Sequence, residues 1–188
     1  MTLRSIDHRV LARHGEHVCG DAVVVRREGD FTLISVIDGL GHGTKAAAVA
    51  VRACELLEQQ SPKSGVLAIM NEVHRGLAES RGACILVCVV SPGEVEVCSV
   101  GNVELRAHGI ELPFMLTPGV VGTRMSRPRV ARAAIAGTSR LVIYSDGVSS
   151  RFHLAEFASL SSADACKTIF ERHRRSHDDA TLVVADLG

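Results

Sequence analysis

Val36-Ile-Asp-Gly-Leu-Gly-His-Gly43 is where an apolar run, residues 31–37, meets a carboxylate, Asp38, and then glycine at every second position: Gly39, Gly41 and Gly43. Immediately beyond, Ala46, Val49, Ala50, Ala53 and Leu57 recur at the spacing of one helix face. That pattern predicts a helix over 44–59 with Thr44 as its cap. A carboxylate at the end of a buried strand, followed by glycines that let a metal or phosphate approach the backbone, is a credible chemical site. A plain strand-to-helix turn has the same residues, and the stretch alone does not separate the two. Two nucleotide sites are excluded. A P-loop needs Gly-Lys-Ser/Thr at the helix start, whereas Gly43-Thr44-Lys45 reverses lysine and hydroxyl. The dinucleotide fingerprint needs two residues before its last glycine, and these glycines are evenly spaced.

On the N-terminal side, residues 6–13 and 22–26 read as strands, and Glu28-Gly29-Asp30 turns the second into the central run as a hairpin. After the helix, Ser61-Pro62-Lys63-Ser64-Gly65 breaks the pattern, and Val66, Ile69, Met70, Val73 and Leu77 line one face of a second helix. Two adjacent amphipathic helices are expected to cover one side of a sheet. Strands follow at 83–90 and 94–100, turned by Ser91-Pro92-Gly93, and the tight turn Gly101-Asn102 returns a third strand over 103–108, so that the sheet grows as a meander. Residues 109–129, broken by Pro113, Pro118, Gly119, Gly122 and Pro128, read as a long loop, mobile or functional. Residues 130–135 and 140–145 look like a strand pair around Gly137-Thr138. Helical segments are predicted near 154–158 and over 163–174, and a last strand over 180–185. No repeat or linker interrupts the 188 residues, which predicts one domain over 1–188.

Composition narrows the function classes. A hydrophobic share of 46% argues against disorder, and no apolar run reaches the length of a membrane span. Twenty-one basic residues balance twenty-one acidic ones, which leaves no global positive field for nucleic acid or an anionic membrane. Aromatics at 3% offer few stacking platforms for single-stranded nucleic acid. The N-terminus lacks the apolar core of a signal peptide, so a cytoplasmic protein, monomeric in solution, is expected. The six cysteines form no C-x-x-C pair and read as buried small hydrophobes; a zinc site from Cys84, Cys88, His173 and His177 is the weaker alternative.

The chemistry gathers at strand ends. Asp38 follows its strand, Asp146 follows another in Tyr144-Ser-Asp-Gly147, and Asp178-Asp179 precede the last. Opposite strand ends of an antiparallel sheet meet at one edge, so these groups can converge. Like charges gathered there repel unless a cation sits among them, and oxygen-only ligands favour magnesium or manganese over zinc. Each aspartate alone also fits a turn cap. Asp21, in Cys19-Gly-Asp21, is a fourth carboxylate: either an outer group that orders metal-bound water or a turn residue.

Taken in order, Gly20-Asp21, Asp38-Gly-Leu-Gly-His-Gly43, Gly101-Asn102, Ser145-Asp-Gly147 and Asp178-Asp-Ala-Thr181 resemble the metal-dependent serine/threonine phosphatases of the PP2C class, in particular the bacterial branch that includes the sporulation phosphatase SpoIIE. Arg81-Gly-Ala83 and Cys98-Ser-Val-Gly-Asn-Val103 resemble the phosphatases of that branch that serve the bacterial stressosome. The resemblance implies an α+β fold, a four-layer αββα sandwich of two antiparallel sheets flanked by helices. It implies two divalent cations, Mn2+ or Mg2+. Asp38 would bridge them, the Gly39 carbonyl would bind one, and Asp146 and Asp178 would complete the other site. Asp179 would be a ligand or a hydrogen-bond partner, and Gly101 and Asn102 would shape the floor. Asp38, Asp146 and Asp178 would thus act through water activated by the metals, which attacks phosphorus in line. Family members from eukaryotes place a histidine directly after the Asp-Gly pair; here Leu40 stands there and His42 lies two residues on. The proton donor to the leaving alkoxide is then His42 or a metal-bound water, with a purely structural His42 equally open.

The implied function is hydrolysis of phosphoserine or phosphothreonine on STAS-domain proteins of a stressosome, resetting the stress signal. The alternatives are phosphatase action on an anti-sigma factor antagonist, itself a STAS domain, and a catalytically silent PP2C-like module that docks a phosphorylated partner. Substrate contacts are expected from 109–129, where Arg124, Arg127 and Arg129 offer positive charge, although a solvated basic loop has the same composition.

Overall fold

The computed structural model describes residues 1–188. Nine strands are present: β1 (Leu3–Leu11), β2 (Asp21–Glu28), β3 (Phe31–Gly39), β4 (Ala83–Ser91), β5 (Glu94–Val100), β6 (Glu104–His108), β7 (Val130–Ala134), β8 (Ser139–Tyr144) and β9 (Ala180–Leu187). Three α-helices, α1 (Gly43–Glu58), α2 (Val66–Gly76) and α3 (Ser162–His173), are accompanied by 3-10 turns at Pro62–Ser64, between α1 and α2, and at Leu154–Phe157, ahead of α3. One sheet has the order β2-β3-β4-β5-β7 and the other β1-β9-β8-β6, with every pairing antiparallel. α1 and α2 cover the first sheet and α3 the second, which completes the αββα layers.

Period-two alternation explains how both faces of each sheet are covered. On β3, Leu33 and Ile37 face the helices, while Ile34 and Val36 face the opposite sheet. On β8, Leu141 and Ile143 fill the space between the sheets, while Val142 and Tyr144 pack beneath α3. Strands buried on both faces read as continuous apolar runs, which is why 83–90 and 141–144 are so uniformly hydrophobic in sequence.

Three local expectations are corrected. The predicted pair 130–135 and 140–145 is not a hairpin: β7 lies beside β5 in one sheet, and β8 lies between β6 and β9 in the other. All six residues of β8 are buried, which demands a central position, whereas β7 alternates and closes an edge. The meander also stops at β5. Gly101, at φ +99°, turns the chain into the second sheet; a Cβ there would come within 2.3 Å of Cys84 Sγ. Ser99 Oγ holds this corner by donating to the Val103 carbonyl at 2.8 Å. Finally, α1 begins at Gly43 with His42 at the N-cap and no side-chain cap, so Thr44 does not cap it.

The space between the sheets carries much of the stability. Leu86 is fully buried there, and Leu86→Ala should cost about 2–5 kcal/mol of unfolding free energy. Urea titration checks both this and Val51→Ala, which, at a site 59% exposed on α1, should stay within about 0.5 kcal/mol of the parent.

Candidate metal centre

The aspartates singled out in the sequence lie at one edge of the sandwich. β2 and β3 pair so that Asp21 stands opposite Asp38. β8 and β9 pair with Tyr144 opposite Leu182, which brings the residues after β8 against those before β9. The Ser145 amide donates to the Thr181 carbonyl at 3.1 Å. A Cβ on Gly147 would lie 1.8 Å from the Asp179 carbonyl, so only glycine admits this approach. Ser145 joins the two sheets: its hydroxyl donates to Asp21 Oδ2 at 2.6 Å and accepts the Thr181 amide at 3.0 Å. Asn102, on the crossing turn, donates from Nδ2 to Asp146 Oδ2 at 2.7 Å.

The carboxylates raise one another's proton affinity. Burial pushes Asp38 up to about 8, with the charges of Asp21, Asp146 and Asp178 adding to it. Burial likewise pushes Asp21 up to about 7, opposed by the Ser145 hydroxyl and reinforced by Asp179 and Asp146. Asp146 is raised by burial and by Asp178, against the Asn102 amide and the Arg175 guanidinium. Arg175 donates from Nη1 to the Asp146 main-chain carbonyl at 3.0 Å. Asn102 Oδ1 is buried without a hydrogen-bond donor. Crowded carboxylates with raised proton affinity, beside an amide oxygen lacking a donor, form an all-oxygen set that fits a hard divalent cation. The set is loose, since no three His, Cys, Asp or Glu side chains close onto a single ligating point.

Gly39 ends β3 against α1, where a Cβ would meet the Ala46 carbonyl at 2.6 Å. Asp179 is buried, and its two oxygens accept the amides of Arg13 and Gly20, each at 2.8 Å. His42 is exposed on the rim, with Nδ1 3.0 Å from Glu16 Oε1. Leu40 beside it is 38% exposed. The zinc alternative does not assemble: Cys88 is buried between the sheets, and His173 packs on Phe152 with ring centroids 5.4 Å apart. All six thiols are raised by burial, so none is a thiolate nucleophile near neutral pH.

The stretch 109–129 contains no named strand but is pinned to the edge of the first sheet. Val121 bridges to Ala83, Thr117 bridges to Val100, and the Gly122 amide donates to His74 Nδ1 at 2.9 Å. Arg124, Arg127 and Arg129 are exposed. Sequence reasoning missed Arg175 and the linking role of the Ser145 hydroxyl. A signal for Arg175 was its position three residues before Asp178. Ser145 offered none, because its partner Asp21 is 124 residues away.

A two-sheet sandwich with helices on both outer faces is the fold of PP2C phosphatase domains. The family model described as Stage II sporulation protein E (SpoIIE) matches residues 28–188, and the chain belongs to that family. It is similar to the phosphoserine phosphatase RsbX of Bacillus subtilis (strain 168), at 23% identity over 185 residues, covering 94% of this chain and 92% of that protein. Among solved structures, it shares 31% identity and a TM-score of 0.89 with a chain from work on the bacterial stressosome as a modular system adapted to control secondary messenger signalling, covering 98% of this chain and 100% of that one. A structure of RsbX in complex with magnesium gives a TM-score of 0.84 at 20% identity, covering 100% of this chain and 99% of that one. The chain is a phosphoprotein phosphatase of the serine/threonine, PP2C type.

A carboxyl whose pKa is raised by folding stabilises the fold fully below its unfolded value, and that contribution is lost as pH rises through the folded value. For Asp38 and Asp21 the window runs from about 4 to about 8. In chelator, the urea midpoint should fall from pH 5 to pH 8, and Asp38→Asn should flatten that fall.

Proposed function

We propose that the chain is a metal-dependent phosphatase that removes phosphate from serine or threonine of STAS-domain proteins in a bacterial stressosome and so resets the signal. The observation that carries the metal-dependent chemistry is the mutual repulsion of Asp21, Asp38, Asp146 and Asp178 at one sandwich edge. The likeness to a chain from the bacterial stressosome supports the substrate class.

The chemistry that two bound divalent cations, Mn2+ or Mg2+, would supply is Lewis acidity toward water and the phosphoryl oxygens near neutral pH. Asp38, the Gly39 carbonyl, Asp146 and Asp178 are the groups that would hold them. Asp21, fixed by Ser145, stands behind Asp38 and orders water. Asn102 holds the Asp146 carboxylate in place through its amide. Cationic groups meet the acidic phosphoprotein at the rim: Arg81, whose Nη1 lies 3.1 Å from where a Cβ of Gly41 would stand, and the exposed Arg124, Arg127 and Arg129. His42, oriented by Glu16, is the candidate proton donor to the departing alkoxide.

With manganese and a STAS-domain phosphoprotein, turnover should depend on added metal and be lost in Asp38→Asn; metal-independent turnover that survives this change would overturn the assignment. His42→Ala separates the proton donor from the rest. Loss of about 100-fold on the phosphoprotein, with near-parental rates on an aryl phosphate whose leaving group needs no proton, assigns the role to His42. Parental rates on both substrates return the proton to water.

A further inference from the structure

Asp179 differs from its neighbours at the edge in having both oxygens occupied by main-chain amides, those of Arg13 and Gly20. The second of these bonds alters the adjacent ladder. β2 and β3 are antiparallel with Asp21 opposite Asp38, so Gly20 stands opposite Gly39 one step further along. The Gly39 amide donates to the Gly20 carbonyl at 2.9 Å, which marks a position where two residues normally exchange both hydrogen bonds. Here only one is made, because the Gly20 amide turns to Asp179 Oδ2. On the β4 side, the Leu40 amide donates to the Gly82 carbonyl at 3.1 Å, which makes Gly39 and Ala83 a non-hydrogen-bonded pair, so β4 has no donor to offer the Gly39 carbonyl. The Gly39 carbonyl is therefore left without a ladder donor, one residue after Asp38.

Neighbouring atoms hold this arrangement tightly. A Cβ on Gly20 would come within 2.7 Å of Ala46 Cβ and 2.8 Å of Asp179 Oδ2, and one on Gly39 within 2.9 Å of the Gly20 carbonyl. Two glycines thus let two strand ends, α1 and a buried carboxylate meet. A carbonyl without a donor costs free energy in a packed site unless another electropositive partner takes it. The nearest chemistry that calls for one is the carboxylate cluster centred on Asp38.

We infer that Asp179 is a positioning residue for the metal centre: by capturing the Gly20 amide it keeps the Gly39 carbonyl oxygen free for a divalent cation, and it is not itself a ligand. The inference rests on the metal-dependent reading above. It explains why two successive aspartates precede β9 with unlike surroundings, Asp178 facing Asp38 and Asp146 electrostatically while Asp179 is spent on the backbone.

Manganese binding to the full chain, followed by the electron paramagnetic resonance of free Mn2+, tests this without turnover. Asp179→Ala should weaken binding about 10–100-fold. Asp179→Asn, which still offers one oxygen to the Gly20 amide, should restore affinity close to the parent. Glu96→Gln, a control whose Oε2 accepts the Val66 amide at 3.0 Å away from the edge, should leave it unchanged. In parallel, through-hydrogen-bond coupling in nuclear magnetic resonance spectra should be absent between Gly20 nitrogen and Gly39 carbonyl carbon in the parent and present in Asp179→Ala. The inference is overturned if the parent already shows that coupling, if folded Asp179→Ala binds manganese as the parent does, or if Asp179→Asn binds no better than alanine. Should alanine prevent folding, the parent spectrum and Asp179→Asn decide. Failure of the parent to bind manganese would sink the metal-dependent reading instead.

Discussion

Four carboxylates held at one edge of a sandwich repel one another, and the rest of the structure has to bear that repulsion. Asp21, Asp38, Asp146 and Asp178 come from both sheets, so the repulsion acts across the layer boundary. Opposing it, the apolar filling between the sheets binds them along their length, and the Ser145 hydroxyl on Asp21 joins them at the edge itself. Stability is thereby placed away from the site and strain within it, a division common to sites that hold charge.

The edge is assembled from backbone as much as from side chains. Gly20, Gly39, Gly101 and Gly147 stand where a Cβ would strike a neighbouring segment, and each lies within one or two residues of a site group. These glycines draw strand ends closer than side chains would permit, which sets the separation of the carboxylates before any ion is involved. The pinned 109–129 stretch then closes one flank and presents its arginines outward.

Much of the fold was legible because the helices and central strands carry strong periodicity. The faces of α1 and α2, the paired β2–β3 hairpin and the apolar β4 and β9 follow from residue spacing, and all lie within a few residues of their expected bounds. Sheet membership was not legible for β6, β7 and β8. A strand's own residues show that it is buried on both faces, but not which neighbours bury it. The turns at Gly101 and Gly137 look alike for a hairpin and for a crossing between layers.

By itself the sequence determined the residue types of the site: aspartates at strand ends, flanked by glycine, in an order that resembles one phosphatase family. Those are local properties, set by where strands stop and which residues tolerate tight turns. Tertiary structure alone decided how two adjacent carboxylates divide their roles. Asp178 and Asp179 are neighbours of identical chemistry, yet only one receives amides from Arg13 and Gly20, which lie 166 and 159 residues away. No sequence window spans that distance, and the difference exists only once β1, β2 and β9 converge.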